Sequence, residues 1–187
     1  MSLSPVKRAV LENLLLNDKP AKPAQIAKET GNQLNSTMMH LIWLVRVGYA
    51  NSPEKGTYAI TEKGKKTLGI PEITKENAKA ILSPMPSEKA FHFYGGVEKP
   101  LEIYAYGIQD FLEKIQTITL ESLEFHANRG DFENWLECIG DCELAKKMAL
   151  LKEKKLSGEP LRERLREIVA NRCTMLSTLV KETQLSG

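Results

Sequence analysis

At 187 residues, 42% hydrophobic and 27% charged, the chain has the balance of an ordinary globular protein, with no bias towards disorder or fibres. Its longest unbroken aliphatic-aromatic run, residues 41–45, is far short of the roughly 20 residues that span a bilayer. The opening MSLSPVKRAV lacks a basic head followed by an apolar core, so neither secretion nor a membrane partner is expected. Three cysteines, an odd number, make no closed disulfide set and suit a reducing, cytoplasmic setting.

The formal charge of +2 divides unevenly along the chain. Residues 1–80 hold 12 Lys+Arg against 7 Asp+Glu, giving +5, whereas residues 81–187 hold 14 against 17, giving −3. Only Trp43, Tyr49 and Tyr58 precede residue 90, and the other nine aromatics lie between Phe91 and Trp135. The asymmetry points to two units, the first suited to an anionic partner.

Ser4-Pro5 offers a cap and a first-turn proline, and Val6, Ala9, Val10, Leu14 and Leu15 recur behind it at helical spacing. NDKPAKP, residues 17–23, breaks that helix. A short second helix is expected from Pro23 to Thr30, with Ile26 and Ala27 inward and Gly31 as its stop. A third covers residues 34–47. Its spacing places Leu34, Met38, Leu41, Ile42 and Val45 in the core and leaves Asn35, Ser36, Thr37 and His40 outside. Two short extended pieces, Tyr49-Ala50-Asn51 and Thr57 to Ile60, then flank a turn with Pro53 and Gly56.

Residues 71–86 hold the expected junction, with a connecting helix over residues 74–82. Beyond it FHFY and LEIYAY alternate, with Phe91, Phe93, Leu101, Ile103 and Ala105 on one face, and GGVEKP joins them as a hairpin. Helical stripes follow: Ile108, Phe111, Leu112 and Ile115; Phe132, Trp135, Leu136 and Ile139; Leu144, Met148 and Leu151. A long final helix opens near SGEP, with Arg162, Arg164 and Arg166 on its polar side as a candidate interface.

Three helices with a glycine turn between the second and third, then a hairpin, follow the winged helix-turn-helix plan. The stretch PAQIAKETGNQLNSTMMHLIWLVRVGYANSPEKGTYAITEKGKK resembles the winged-helix domains of bacterial and archaeal transcription regulators. The likeness rests on Ile26-Ala27 and Gly31, the Leu41/Leu44/Val45 stripe, Gly48-Tyr49 and the closing YAITEKGK. It covers about a third of the chain and implies that the third helix enters a major groove. Asn35, Ser36, Thr37 and His40 would then face base edges, and Lys55 and Thr57 the adjoining backbone, while Lys28, Lys63, Lys65 and Lys66 would neutralise phosphates. No Lys or Arg precedes Arg46 in that helix, so the commonest guanine contact is missing.

Gly130-Asp131 and Gly140-Asp141 share one form, a glycine ending one helix and an aspartate able to cap the next. His126 and Arg129 close the preceding helix beside Asp131, either as a structural corner or as a site for a small anionic ligand. Phrases such as AFHFYGGVEKP and SLEFHANRGDFENWL resemble a helical domain of unknown function in archaeal proteins, a likeness that implies a fold and no chemistry. No catalytic residue, metal site or cofactor is assigned. A zinc set from Cys138, Cys142, Cys173 and His126 lacks a second close-spaced pair, and no nucleophile elbow or phosphate loop occurs.

The fold class expected is mainly α with small β-hairpins. A winged helix-turn-helix domain covers residues 1–70, a connector 71–88, and a mainly helical domain opened by a β-hairpin 89–187. The function expected is a DNA-binding transcriptional regulator, a homodimer on double-stranded DNA, whose C-terminal domain senses a small-molecule effector or mediates assembly. The alternative is an adaptor whose winged domain docks proteins without binding DNA. An enzyme built on the His126–Arg129–Asp131 corner is the third and least supported reading.

Overall fold

Proline starts the first two helices of the computed structural model, which describes residues 3–181. At the first turn its missing N–H costs no hydrogen bond, and its fixed φ already suits a helix. The chain is mainly helical with two small antiparallel two-stranded sheets, and it divides into two compact units, Met1–Glu72 and Ile73–Gly187. Among the described residues no helix is long and apolar enough to cross a membrane.

The first unit runs α1 (Pro5–Asn17), α2 (Pro23–Thr30), α3 (Leu34–Arg46), β1 (Ala50–Asn51), β2 (Ala59–Ile60) and α4 (Glu62–Thr67). Gly31 takes the left-handed conformation between α2 and α3, at φ 68°, a geometry that glycine adopts at no steric cost. Val10, Leu11, Leu14, Leu15, Ile26, Leu41 and Leu44 form the core. β1 pairs with β2 through Ala50↔Ile60 and Asn51↔Ala59, and Tyr58 bridges back to Ala21 with both backbone hydrogen bonds at 2.9 Å. The exit is locked at Gly64. A Cβ there would lie 2.1 Å from the Tyr49 carbonyl oxygen, so only glycine lets α4 approach β1. Thr61 caps α4 by accepting from Gly64 N–H and also donates to the Gly48 carbonyl at 2.7 Å.

The second unit runs α5 (Lys75–Leu82), a 3₁₀ turn (Ser87–Lys89), β3 (Phe91–Tyr94), β4 (Pro100–Ala105), α6 (Ile108–Thr117), α7 (Leu120–Arg129), α8 (Asp131–Cys138), α9 (Cys142–Glu153) and α10 (Gly158–Lys181). The stretch expected as a connector thus carries α5, which packs against α10 and belongs to this unit. α10 also touches α6, α7 and α9 and forms the spine. The hairpin pairs Phe91↔Ala105, His92↔Tyr104 and Phe93↔Ile103, then shifts register between Phe93 and Tyr94. Phe91 sits at the centre of an aromatic cluster, with ring centroids 4.8 Å from Phe93, 5.8 Å from Phe111, 5.3 Å from Phe132 and 5.5 Å from Trp135. Most of these contacts are edge-to-face, the arrangement that ring quadrupoles favour.

The arginines expected on the polar side of the last helix divide. Arg162 turns inward and donates to the carbonyls of Ile115 at 2.7 Å and Ile118 at 2.8 Å, stapling the end of α6, so it is not part of a solvent face. Arg164 pairs with Glu167 on its own helix. Arg172, which drew no attention in the sequence, is 3% exposed and holds the deepest charges. Its Nε donates to both Asp141 oxygens at 3.0 and 2.9 Å, and its Nη1 to Glu143 at 2.8 Å. Lys147 meets the other Glu143 oxygen at 3.1 Å. Burial alone would lower the Arg172 pKa, but Asp141 and Glu143 outweigh it and hold the guanidinium above its ordinary value. Asp141 also caps α9 through Leu144 N–H at 3.1 Å, so one carboxylate fixes a helix start and anchors it to α10.

Replacing Arg172 with Met leaves the fully buried Asp141 without its cation. Urea denaturation is expected to show a loss of about 3–5 kcal/mol, the usual result of breaking one side of a buried ion pair. An unchanged midpoint would remove this network from the energetics of the core.

Candidate functional site

Two surfaces carry the residues singled out by chemistry, one on α3 and one at the end of α7. On α3 the rotation about the helix axis differs from the expected one. Thr37 is fully buried, with its hydroxyl donating to the Gln33 carbonyl at 3.1 Å, so it faces no external partner. The buried row is Thr37, Leu41 and Leu44, at i, i+4 and i+7. Leu34, Met38, Ile42 and Val45, expected in the core, form the neighbouring row and face outward. Leu34 is 48% exposed, Ile42 52%, and Met39 beside them 66%. The reason is geometric: the apolar residues of α3 wrap two adjacent rows, and α1 and α2 cover only one of them. Asn35 and Ser36 are exposed as expected, and His40 is half-buried, with its Nε2 3.3 Å from Ser36 Oγ.

Of the five lysines expected to face DNA, Lys63, Lys65 and Lys66 are engaged within the unit. Lys63 donates to the Val47 carbonyl at 2.8 Å and lies 5.4 Å from the Tyr49 ring centre. Lys65 pairs with Glu62 at 2.8 Å and Lys66 with Glu72 at 2.6 Å. The Glu72 hydrogen bond and charge raise the Lys66 pKa. Thr57 donates to the Glu54 carbonyl at 3.1 Å inside its own turn. Lys28 on α2 and Lys55 in the turn are exposed. The exposed surface of α3 therefore mixes apolar side chains with Asn35, Ser36 and Arg46, and Lys28 and Lys55 are exposed elsewhere in the unit.

The second surface is the corner expected from His126, Arg129 and Asp131, and these three residues do come together. Gly130, at φ 81°, ends α7 and turns the chain directly into α8. Asp131 makes no cap hydrogen bond at the α8 start, contrary to expectation. Its carboxylate reaches back instead, 2.7 Å from His126 Nδ1 and 3.3 Å from Arg129 Nε. Tyr94 N–H donates to His126 Nε2 at 2.8 Å. A backbone N–H can only donate, so Nε2 is the acceptor and the ring proton sits on Nδ1, donated to Asp131. The imidazole is thereby neutral. Burial depresses its pKa, and the hydrogen bond to Asp131 only partly opposes that. Both ring nitrogens are occupied, so His126 has no lone pair to offer as a general base despite its triad-like aspartate.

A cleft of about 360 Å³ opens beside this corner, lined by Tyr94, Glu98, Phe125, His126, Arg129 and Asp131 among others. The guanidinium of Arg129 lies 4.8 Å from the Phe125 ring centre. Glu98, Tyr94 and Phe125 were not singled out by the sequence. The available signal was the GGVEKP turn, where Glu98 holds φ 58°, an uncommon conformation for a residue with a side chain. Cys138 is exposed, Cys142 half-buried and Cys173 buried, with the Cys173 thiol pushed up to about 11 by burial and then by Asp141. Among the described residues no group of three or more His, Cys, Asp or Glu is gathered to hold a metal ion.

Because the folded pKa of His126 lies below its ordinary 6.5, the unfolded chain takes up a proton first as pH falls. The contribution of His126 to stability is complete above pH 6.5 and declines from there down to the folded-state value. An NMR titration of its ring is expected to give a midpoint below 6.5, and a midpoint above it would contradict a neutral ring whose Nε2 accepts from Tyr94.

Comparison of the chain with protein-family models, with curated proteins and with solved structures gives no match.

Proposed function

We propose that the first unit is a winged helix-turn-helix module whose third helix docks a protein, making the chain an adaptor. The order α1-α2-α3-β1-β2, the glycine turn at Gly31 and the Ala21–Tyr58 bridge support the module. One observation carries the docking reading: beside the exposed Asn35, Ser36 and Arg46, α3 leaves Leu34, Met38, Met39, Ile42 and Val45 uncovered. In a DNA groove this face would set methyl and thioether groups against hydrated base edges, with only thymine methyls to gain from. Against a protein, full burial of each such side chain contributes about 1.5–3 kcal/mol, less for the part already covered. Contiguous apolar exposure of this kind marks interaction sites, and two methionines let the surface adapt to its partner.

The partner is an amphipathic helix with acidic flanks, lying along α3. α3 itself contains no Asp or Glu, ends on the exposed Arg46, and stands in a unit that also exposes Lys28 and Lys55. That basic margin favours acidic flanks. It also supports a second reading, the regulator, in which phosphate contacts and groove shape hold duplex DNA without base readout.

A displayed library of amphipathic peptides is expected to yield acidic-flanked binders that lose at least tenfold in affinity against Ile42→Glu, about 1.4 kcal/mol. Replacing Lys65 and Lys66 with Glu should weaken them little, since both are already paired with carboxylates, whereas adding Lys55→Glu should cost more by removing part of the basic margin. Gel shifts with mixed-sequence duplex at two salt concentrations should show no complex. Salt-sensitive duplex binding abolished by the triple lysine variant would establish the regulator instead, and a dimer dissolved by Ile42→Glu would make the partner a second copy.

A further inference from the structure

We propose that the cleft between the β3–β4 turn and α7 binds a free α-amino acid with an apolar or aromatic side chain. This stands independently of what α3 docks. At about 360 Å³ the cleft lies near the small end of ligand pockets, about 300–1,000 Å³, which suits a small metabolite.

Its charges select the ligand. Arg129 donates from Nε to Asp131, and among the described residues no hydrogen bond engages its two terminal nitrogens. The guanidinium is held by Asp131 on one edge and by the Phe125 ring beneath it. It therefore presents an oriented fork, the geometry that grips a carboxylate through two parallel bonds. Glu98 lines the same cleft, exposed on the turn, and no ion pair engages it among the described residues. The lining thus sums to one positive charge, Arg129, against two negative ones, Asp131 and Glu98. A simple anion satisfies Arg129 but meets Glu98. A simple cation satisfies Glu98 but meets Arg129. A zwitterion satisfies both, with its carboxylate on Arg129 and its ammonium on Glu98. Beside His92 and Gly96, the walls Phe91, Tyr94, Phe125 and the 71% exposed Val97 are apolar or aromatic and would cover the ligand's side chain. His126 is a positioning residue: its two hydrogen bonds hold Tyr94 and Asp131, and it offers nothing to the ligand.

The test is calorimetric titration of the full chain with L-phenylalanine and L-leucine, alongside 3-phenylpropanoate, which lacks the ammonium, and 2-phenylethylamine, which lacks the carboxylate. At least one amino acid is expected to saturate, with both analogues weaker by about tenfold or more. Glu98→Gln, on an exposed turn and remote from the core, should cost binding about tenfold without changing the melting temperature, and Arg129→Gln should do so at least equally. Propanoate binding equal to that of phenylalanine would make this an anion site and overturn the proposal. Equal binding of the amine, or no saturation by any of the four probes below about 10 mM, would overturn it as well.

Discussion

The cleft of the second unit depends on one hydrogen bond, from Tyr94 N–H to His126 Nε2. It exists because the hairpin register shifts between Phe93 and Tyr94, at the point where β3 would otherwise continue its ladder. A register shift leaves a backbone donor that must find another partner, since a buried donor without one costs as much as a lost hydrogen bond. The partner is the histidine on α7. Once Nε2 accepts, the proton lies on Nδ1 and points at Asp131, and Asp131 is held at the start of α8 where it also grips Arg129. A strand irregularity thus orients an arginine three residues further along a helix. The same chain of bonds leaves His126 without the lone pair that a general base needs, because the strand has taken it.

The first unit obeys a different constraint. Its core is small, and α3 carries more apolar side chains than α1 and α2 can cover. Leu41 and Leu44 are sealed while Ile42 and Met39, adjacent in sequence, are more than half exposed. Leaving them exposed sacrifices the gain that burial would bring, and it exposes the unit to self-association. Such an arrangement is stable in function when another surface covers it. A polar reading helix would have avoided the cost altogether.

Most of the architecture was legible because it rests on local signals. Proline starts, glycine stops and changes of period located the first three helices and both hairpins to within a few residues, while the stripes beyond residue 107 marked helices without fixing their ends. The inward placing of Phe91 and Phe93 followed from the alternation in FHFY. What stayed illegible was long-range. Thr37 and Met38 differ by one position, and a helix with two apolar rows gives no sign of which row its neighbours will cover. Gly130-Asp131 and Gly140-Asp141 read alike, yet their aspartates differ in role. Asp141 caps α9 because Arg172, thirty-one residues away, holds it in the core; Asp131 turns away from α8 because His126 lies one turn behind it. The corner residues were visible by type and proximity, but Glu98 and Tyr94 came to them only through the folding of the hairpin.

Net charge along the chain says little about which cations folding leaves available. The first 80 residues are basic in sum, but Lys63 is drawn to a carbonyl and a tyrosine ring, and Lys65 and Lys66 to carboxylates. In the second unit Arg162 staples α6, Lys152 pairs with Glu133 at 2.8 Å and Arg172 lies in the core. A cation whose donors must leave their partner contributes little to recruiting another, whereas Arg129, bound to Asp131 through Nε, keeps its terminal nitrogens for a second contact. What recognises a partner is the charge that folding leaves incompletely matched, set beside apolar surface that folding leaves uncovered. Arg129 with Glu98 above Phe125, and Arg46 at the end of the Ile42 row, are two places where both conditions meet.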